Sequence, residues 1–213
     1  MSQTIYPIGI QNFESLRKDG YLYIDKTALI YQLVTTGRYY FLSRPRRFGK
    51  SLLLSTLEAY FQGLAMEKLE KDWIRYPILH LDLNAERYSD PGALESILRR
   101  YLNLWEDLWG KDEREITPSD RFTGVIRRAY ERTGRRVVIL VDEYDKPLLQ
   151  AIGNLELQEA YRSILKAFYG VLKSMDGYIR LAFLTGVTKF GKVSVFSDLN
   201  NLDDISMREP YAA

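Results

Sequence analysis

Four short runs of the chain are apolar at almost every position: YYFLS at 39–43, PILHLDL at 77–83, RVVILVD at 136–142 and YIRLAFLTG at 178–186. Runs of this length read as β-strands, and strands apolar on both faces belong in a parallel sheet covered by helices on each side. Between them the period changes. KSLLLSTLEAYFQG (50–63) sets Leu53, Leu57, Tyr60 and Phe61 at spacings of three and four, and GALESILRRYLNLWEDLW (92–109) and LQEAYRSILKAFYGVLKSM (157–175) keep that rhythm, so each reads as an amphipathic helix. Strand and helix alternate, which predicts an α/β fold of three layers. No low-complexity tract, linker or solenoid-length repeat interrupts them.

An open parallel sheet binds ligands beyond the carboxyl ends of its strands. The first run leads into RPRRFGKS, the third ends at Asp142 and Glu143, and the fourth ends at Thr185 and Gly186. Side by side, these strands would bring all those groups to one edge.

Composition narrows the chemistry. The chain has 213 residues, 46% hydrophobic and 27% charged, which suits one generous globular domain. Its net charge of +2 makes no bulk electrostatic case for nucleic acid. With no cysteine and a single histidine, His80, disulfides and thiolate zinc sites are excluded and no Ser-His or Cys-His catalytic pair is worth defending. MSQTIYPIGIQNFE lacks the basic head and apolar run of a signal peptide, and no apolar run approaches the roughly 18 residues of a membrane span. A soluble, cytoplasmic protein with no membrane partner is expected.

The stretch LSRPRRFGKS (42–51) ends as a Walker A phosphate loop ends, in Gly49, Lys50 and Ser51. Such a loop wraps phosphates in backbone N–H groups and aims a helix N-terminus at them. Its first glycine is replaced by Arg44, and Pro45 removes a donor. Forcing an arginine into left-handed backbone costs about 1–2 kcal/mol, so the loop is expected to turn differently at Arg44. A Gly-Lys-Ser/Thr triplet alone arises in roughly one chain in ten of this length. The strand VVILVDE (137–143), ending in adjacent carboxylates, makes the coincidence roughly a hundredfold rarer.

Phosphoryl transfer needs a cation on the phosphates, a bound metal and a group that orients water. Lys50 can bridge the β- and γ-phosphates, and Ser51 and Asp142 can hold Mg2+. Glu143 is the candidate base, on the expectation that an extended segment turns its side chain away from the metal toward the attacking water. Thr185 would stand between these groups as a polar sensor. The candidate nucleotide contacts are Arg46, Arg47, Phe48, Gly49, Lys50, Ser51 and Leu52.

Five segments together resemble a known family: YIDKT (23–27), FLSRPRRFGKSLLLSTLEAYFQG (41–63), VVILVDEYDKPL (137–148), LAFLTGVTKFG (181–191) and FSDLNNLDDIS (196–206). They are similar to the AAA-ATPase-like proteins of bacteria and archaea, whose pattern includes Arg44 and Pro45. The resemblance implies a P-loop NTPase that uses ATP and Mg2+, with strand order 2-3-4-1 and room for an extra edge strand. It also implies that a helical lid, and often a nuclease-like domain of the PD-(D/E)XK type, follow in such proteins, so that residues 1–213 form the ATPase domain cut before them. Nucleic acid would then be met through that missing domain. By position in such relatives, Tyr23 to Thr27, chiefly Ile24 and Asp25, with Ile8 to Ile10, would line the adenine pocket. The other reading of 23–27 is a turn that starts a helix at 26–36. Relatives often assemble into rings, which makes a homo-oligomer an open expectation.

Several residues carry two readings. Arg46 and Arg47 would touch phosphate, act on a neighbour's nucleotide, or form a solvated turn. Asp145 and Lys146 would close over the site or cap the helix that begins near Pro147, the second being favoured. His80 and Asp82 are expected to serve the sheet at its far edge, and Trp73, Trp105 and Trp109 to pack in the core. Lys189 and Lys192 would cover the γ-phosphate, touch DNA, or belong to a loop of no single role. Three functions follow: an Mg2+-dependent ATPase signalling to an effector, a nucleotide-gated switch or scaffold with little hydrolysis, and a nucleic-acid-binding module.

Overall fold

The computed structural model describes residues 5–61, 75–85, 87–189, 195–196 and 202–208. Trp73 and Lys192 lie outside the described residues.

The four apolar runs form the strands β1 (Tyr39–Ser43), β2 (Ile78–Asp82), β3 (Val137–Asp142) and β4 (Ile179–Gly186), joined by the short β5 (Asp203–Asp204). All pair in parallel, in the order β2-β3-β4-β1-β5. The expected order is therefore present, with the extra strand beside β1. Every residue of β3 is buried, whereas β2 at the sheet edge alternates between buried and half-buried. The half-buried positions of β2 include the polar His80 and Asp82.

Alternation along the strands divides the core in two. Phe41, Ile139, Val141 and Leu184 face one side, where they meet Leu98, Ile126 and Leu165 from α4 (Pro91–Trp109), α5 (Pro118–Thr133) and α7 (Leu155–Ser174). Tyr40, Leu42, Leu140 and Phe183 face the other, against Ile30 and Leu33 of α2 (Thr27–Thr36) and Leu54 and Leu57 of α3 (Lys50–Phe61). Burying each such side chain contributes about 2 kcal/mol relative to leaving it in water. Helices on both faces of one sheet make the expected three layers. Trp105 packs at 5.7 Å from Phe122, and Trp109 lies against the same core, in line with a packing role.

Helices α5 and α1 (Phe13–Lys18) go beyond the expected helices, whereas α2 falls at the suggested 26–36 and α6 (Lys146–Gln150) begins beside Pro147. The start of α5 is written locally: Thr117 and Asp120 form a reciprocal capping box, Pro118 opens the first turn, and Gly134 closes the helix at φ +63°. Phe122, Val125, Ile126 and Ala129 then supply its buried face at helical spacing.

Candidate functional site

β4 lies between β1 and β3, so the carboxyl ends of these three strands form one edge, as the sequence leads one to expect. The loop 44–49 leaves β1 there and feeds α3, whose first turn begins with Leu53 N–H donating to the Gly49 carbonyl at 2.9 Å. Arg44 stays out of the left-handed region. Its N–H donates to the Gly186 carbonyl at 3.1 Å and its guanidinium to the Ser206 carbonyl, so the residue ties the loop to its neighbours. The left-handed positions fall later, at Arg47 (φ +69°) and Gly49 (φ +76°). Pro45 thus removes the need for a glycine at 44, and the strain appears at 47.

The Lys50 ammonium lies inside this turn. It donates to the carbonyls of Arg44 at 3.0 Å and Pro45 at 3.3 Å, and pairs with Glu143 Oε1 at 3.0 Å. Next to it, Ser51 Oγ donates to Asp142 Oδ2 at 2.6 Å. The other oxygen of Asp142 accepts from Thr185 Oγ1 at 2.5 Å. Thr185 Oγ1 accepts in turn from the Glu143 N–H at 3.4 Å, and the Thr185 carbonyl takes the Tyr144 N–H at 2.9 Å. Hydroxyl, carboxylate and hydroxyl therefore form one chain across α3, β3 and β4.

Thr185 stands between Asp142 and Glu143 as expected, but it is wholly buried, with its hydroxyl on the Asp142 carboxylate. One detail differs from the expected arrangement. Glu143 is not extended: β3 ends at Asp142, and Glu143 turns left-handed at φ +54°, with its side chain against Lys50. Burial raises the Glu143 pKa above the ordinary glutamate value. The hydrogen bond and charge of Lys50 pull it back, and Asp142 and Asp145 push it up further.

Asp145 corrects the favoured reading. It stands at the N-cap position of α6 but makes no side-chain cap. Its buried carboxylate instead accepts from the N–H groups of Val187 and Thr188 at 3.1 and 2.6 Å, and from the Thr188 hydroxyl at 2.7 Å. Tyr144 reinforces this strap by donating to the Thr188 carbonyl at 3.0 Å. A side chain at Gly186 has no room there, because its Cβ would meet the Tyr144 ring at 2.5 Å. Lys146 donates to the carbonyl and side-chain oxygen of Asn84, away from the loop 44–49. Lys189 pairs with Asp204 at 3.0 Å.

An apolar cavity of about 440 Å³ opens beside the loop, bounded by Tyr23, Ile24, Phe48, Leu52, Gly49 and Lys50 among others. Ile24, which the resemblance suggests for an adenine pocket, is part of this lining. Asp25 does not line the cavity: its carboxylate accepts the Thr27 N–H at 2.9 Å and starts α2, which holds its pKa below the usual value through the Thr27 hydrogen bonds. From the more N-terminal segment Tyr6 and Pro7 contribute, whereas Ile8 is 92% exposed and outside the lining. Arg46 and Arg47 are exposed. His80, on β2, pairs with Glu58 of α3 at 3.1 Å and takes no part in the cluster, and Asp82 accepts the Asn84 N–H at 2.7 Å.

Sequence reasoning did not find Tyr144, Asp145 and Gly186 as the groups that fix the edge. The one local signal was the third carboxylate in DEYD (142–145), which follows the first at a spacing of three.

The sequence model of the predicted AAA-ATPase family matches residues 7–196, a span that contains both the loop and the paired carboxylates. The chain belongs to this AAA-ATPase-like family. It is also 43% identical, over 222 aligned positions, to an uncharacterized protein in the vnfD 5′ region of Azotobacter chroococcum mcd 1. All of the chain is covered, but only 43% of that relative, so the chain spans less than half the length of the curated protein it matches. Membership in an AAA-ATPase-like family points to nucleotide binding and hydrolysis. No helix among the described residues is long and apolar enough to cross a membrane.

Proposed function

We propose that the chain binds ATP with Mg2+ and hydrolyses it, passing the conformational change to an attached or partner effector. The observation that carries this reading is the chain Ser51–Asp142–Thr185 set beside the Lys50–Glu143 pair. A hydroxyl and a carboxylate 2.6 Å apart, next to an ammonium held by loop carbonyls, suit a hard cation that shares its shell with phosphate oxygens. Among the described residues no cluster of three or more acidic or histidine side chains could hold a metal alone, which fits an ion bound through one carboxylate, one hydroxyl and the substrate. Held there by Ser51 and Asp142, Mg2+ would supply positive charge against the phosphates.

The residues of the chain do the rest. Lys50 exchanges Glu143 for phosphate oxygens, and this exchange frees the Glu143 carboxylate to orient and deprotonate water. Thr185 keeps Asp142 aimed at Ser51. Leu52, Ile24 and Phe48 offer apolar area to a purine. Among the described lining residues there is no carboxylate to accept from the guanine N1–H and amino group, which favours adenine. Phosphate release by purified protein and by Lys50→Ala tests the reading; equal rates would remove it.

A nucleotide-gated switch with little hydrolysis is the second reading. It is favoured by one fact, that the candidate base is already engaged by Lys50 at 3.0 Å. Single-turnover kinetics separate the two, since slow turnover that ignores Glu143→Gln belongs to the switch.

A further inference from the structure

We infer that Asp145 is a positioning residue for the hydrolysis: its carboxylate clamps the turn after β3 to the segment after β4 and so fixes the left-handed turn from which Glu143 meets Lys50. The inference rests on the ATP-hydrolysing reading above and gives a part in the reaction to a buried acid outside the Lys50 and Asp142 contacts.

Glu143 reaches Lys50 at 3.0 Å from a backbone at φ +54°. A side chain disfavours that region, and a residue stays there where its surroundings over-determine it. The surroundings here are the end of β4. Three consecutive residues of the turn are fastened to it: the Glu143 N–H donates to Thr185 Oγ1 at 3.4 Å, the Tyr144 N–H to the Thr185 carbonyl at 2.9 Å, and Asp145 accepts from Val187 and Thr188. The first of these is long for a hydrogen bond. The last is the densest, with the Val187 N–H facing both carboxylate oxygens at 3.2 and 3.1 Å, and Oδ2 also taking the Thr188 N–H at 2.6 Å and the Thr188 hydroxyl at 2.7 Å. Contact with the strand end is close as well, since a Cβ on Gly186 would meet Asp145 Oδ1 at 2.8 Å.

The second observation concerns charge. Asp145 is 1% exposed, and its partners are two amides and a hydroxyl, none of them cationic. A carboxylate buried without a counter-ion is costly, and a tether between two loops needs no charge. Two positions from Glu143, however, a charge does what a neutral acceptor does not. Burial is the main cause that lifts the Glu143 pKa; Lys50 from α3 opposes it, and Asp142 and Asp145 at the end of β3 add to the rise. A base lifted in this way takes a proton from water more readily. Asp145 thus bears on both the place and the basicity of the same carboxylate.

The test uses the full chain at 25 °C with saturating ATP and Mg2+. Asp145→Asn keeps the shape but gives up the charge and one acceptor oxygen; it is expected to lower kcat about 10- to 10²-fold with KM for ATP within about threefold. Its acidic limb should move to lower pH, because a negative charge that raised the Glu143 pKa is gone. Thr188→Val removes only the hydroxyl contact and should show a smaller loss with the same split between kcat and KM, so it carries the test should Asp145→Asn not fold. Ile126→Val, in the core beneath α5, should lower the melting temperature by about 2–4 °C and leave kcat within about twofold, which separates lost stability from lost positioning. Carbon NMR of glutamate-labelled protein without nucleotide, with the Glu143 signal assigned by Glu143→Gln, reads the same residue independently of turnover; its titration should lie lower in Asp145→Asn than in wild type. Folded Asp145→Asn with wild-type kcat, or an unmoved Glu143 titration, would overturn the inference alone. Wild-type turnover equal to that of Lys50→Ala would remove the ATPase reading instead, and the NMR comparison would still decide whether Asp145 governs Glu143.

Discussion

Lys50 and Glu143 face each other at 3.0 Å with only 4% and 15% of their side chains exposed, so each neutralises the other. On the proposed reading nucleotide binding breaks this pair, with phosphate oxygens replacing the carboxylate on the ammonium. Glu143→Gln removes the competing charge. It is expected to bind ATP as tightly as wild type or more tightly, while phosphate release falls about 10²- to 10³-fold. Fluorescent-ATP titration and phosphate release on the same preparation check both halves; weaker binding together with unchanged release would contradict the assignment.

The pH dependence follows from the same residue. Burial lifts the Glu143 pKa above the ordinary value of 4.5 despite Lys50. A base works only when deprotonated, so kcat/KM should fall as pH drops through a point higher than that of an ordinary glutamate. For stability the sign is the same as for any carboxyl with a raised pKa: protonation is easier in the folded state, so this group disfavours the fold as pH rises past 4.5. A rate profile from pH 5 to 8 reads the first effect, and Glu143→Gln should abolish that acidic limb.

Much of this site is legible in the sequence, for a physical reason. A phosphate loop and a strand ending in acids are local objects: Gly49, Lys50 and Ser51 are neighbours because one turn and one helix start must hold them, and Asp142 follows five apolar residues because a buried strand precedes it. Parallel pairing follows from alternation, whereas the strand order is what the family resemblance implies. What the sequence hides is long-range. Asp145 resembles a helix cap, since Pro147 begins the next turn two positions on, yet its partners lie at Val187 and Thr188, more than forty positions away. The cavity is drawn from residues between Tyr6 and Ile205, and no spacing rule gathers those. Asp25 shows the converse, a residue suggested by resemblance whose carboxylate takes a local hydrogen bond from Thr27 at the start of α2.

The strap at the end of β4 gives a stability prediction. Asp145→Ala would leave the N–H groups of Val187 and Thr188 and the Thr188 hydroxyl without their acceptor, at a cost of about 3 kcal/mol. Gly186→Ala drives a methyl into the Tyr144 ring at 2.5 Å, and that ring is held edge-on by Phe41 at 5.3 Å, so it cannot retreat. Overpacking of this kind costs about 1–3 kcal/mol. Urea denaturation of both variants should show lower midpoints with slopes near wild type; a neutral Gly186→Ala would mean that Tyr144 moves more freely than its packing indicates.

A last prediction concerns the opposite end of the P-loop helix. His80 on the edge strand and Glu58 on α3 approach to 3.1 Å. Burial opposes a charge on the imidazole, but the hydrogen bond and charge of Glu58, with Asp142 and Asp82 farther off, together outweigh it and raise the His80 pKa above 6.5. A histidine with a raised folded-state pKa stabilises fully below the unfolded value and loses that contribution as pH rises through the folded one. The Tm of wild type should therefore decline relative to Glu58→Gln as pH is taken upward from 6.5. In Glu58→Gln the burial penalty is no longer outweighed by a carboxylate in contact, so its histidine should titrate lower. Proton NMR of the single imidazole resolves both states directly, and a His80 titration at or below 6.5 in wild type would break the link between the edge strand and the helix that carries Lys50 and Ser51.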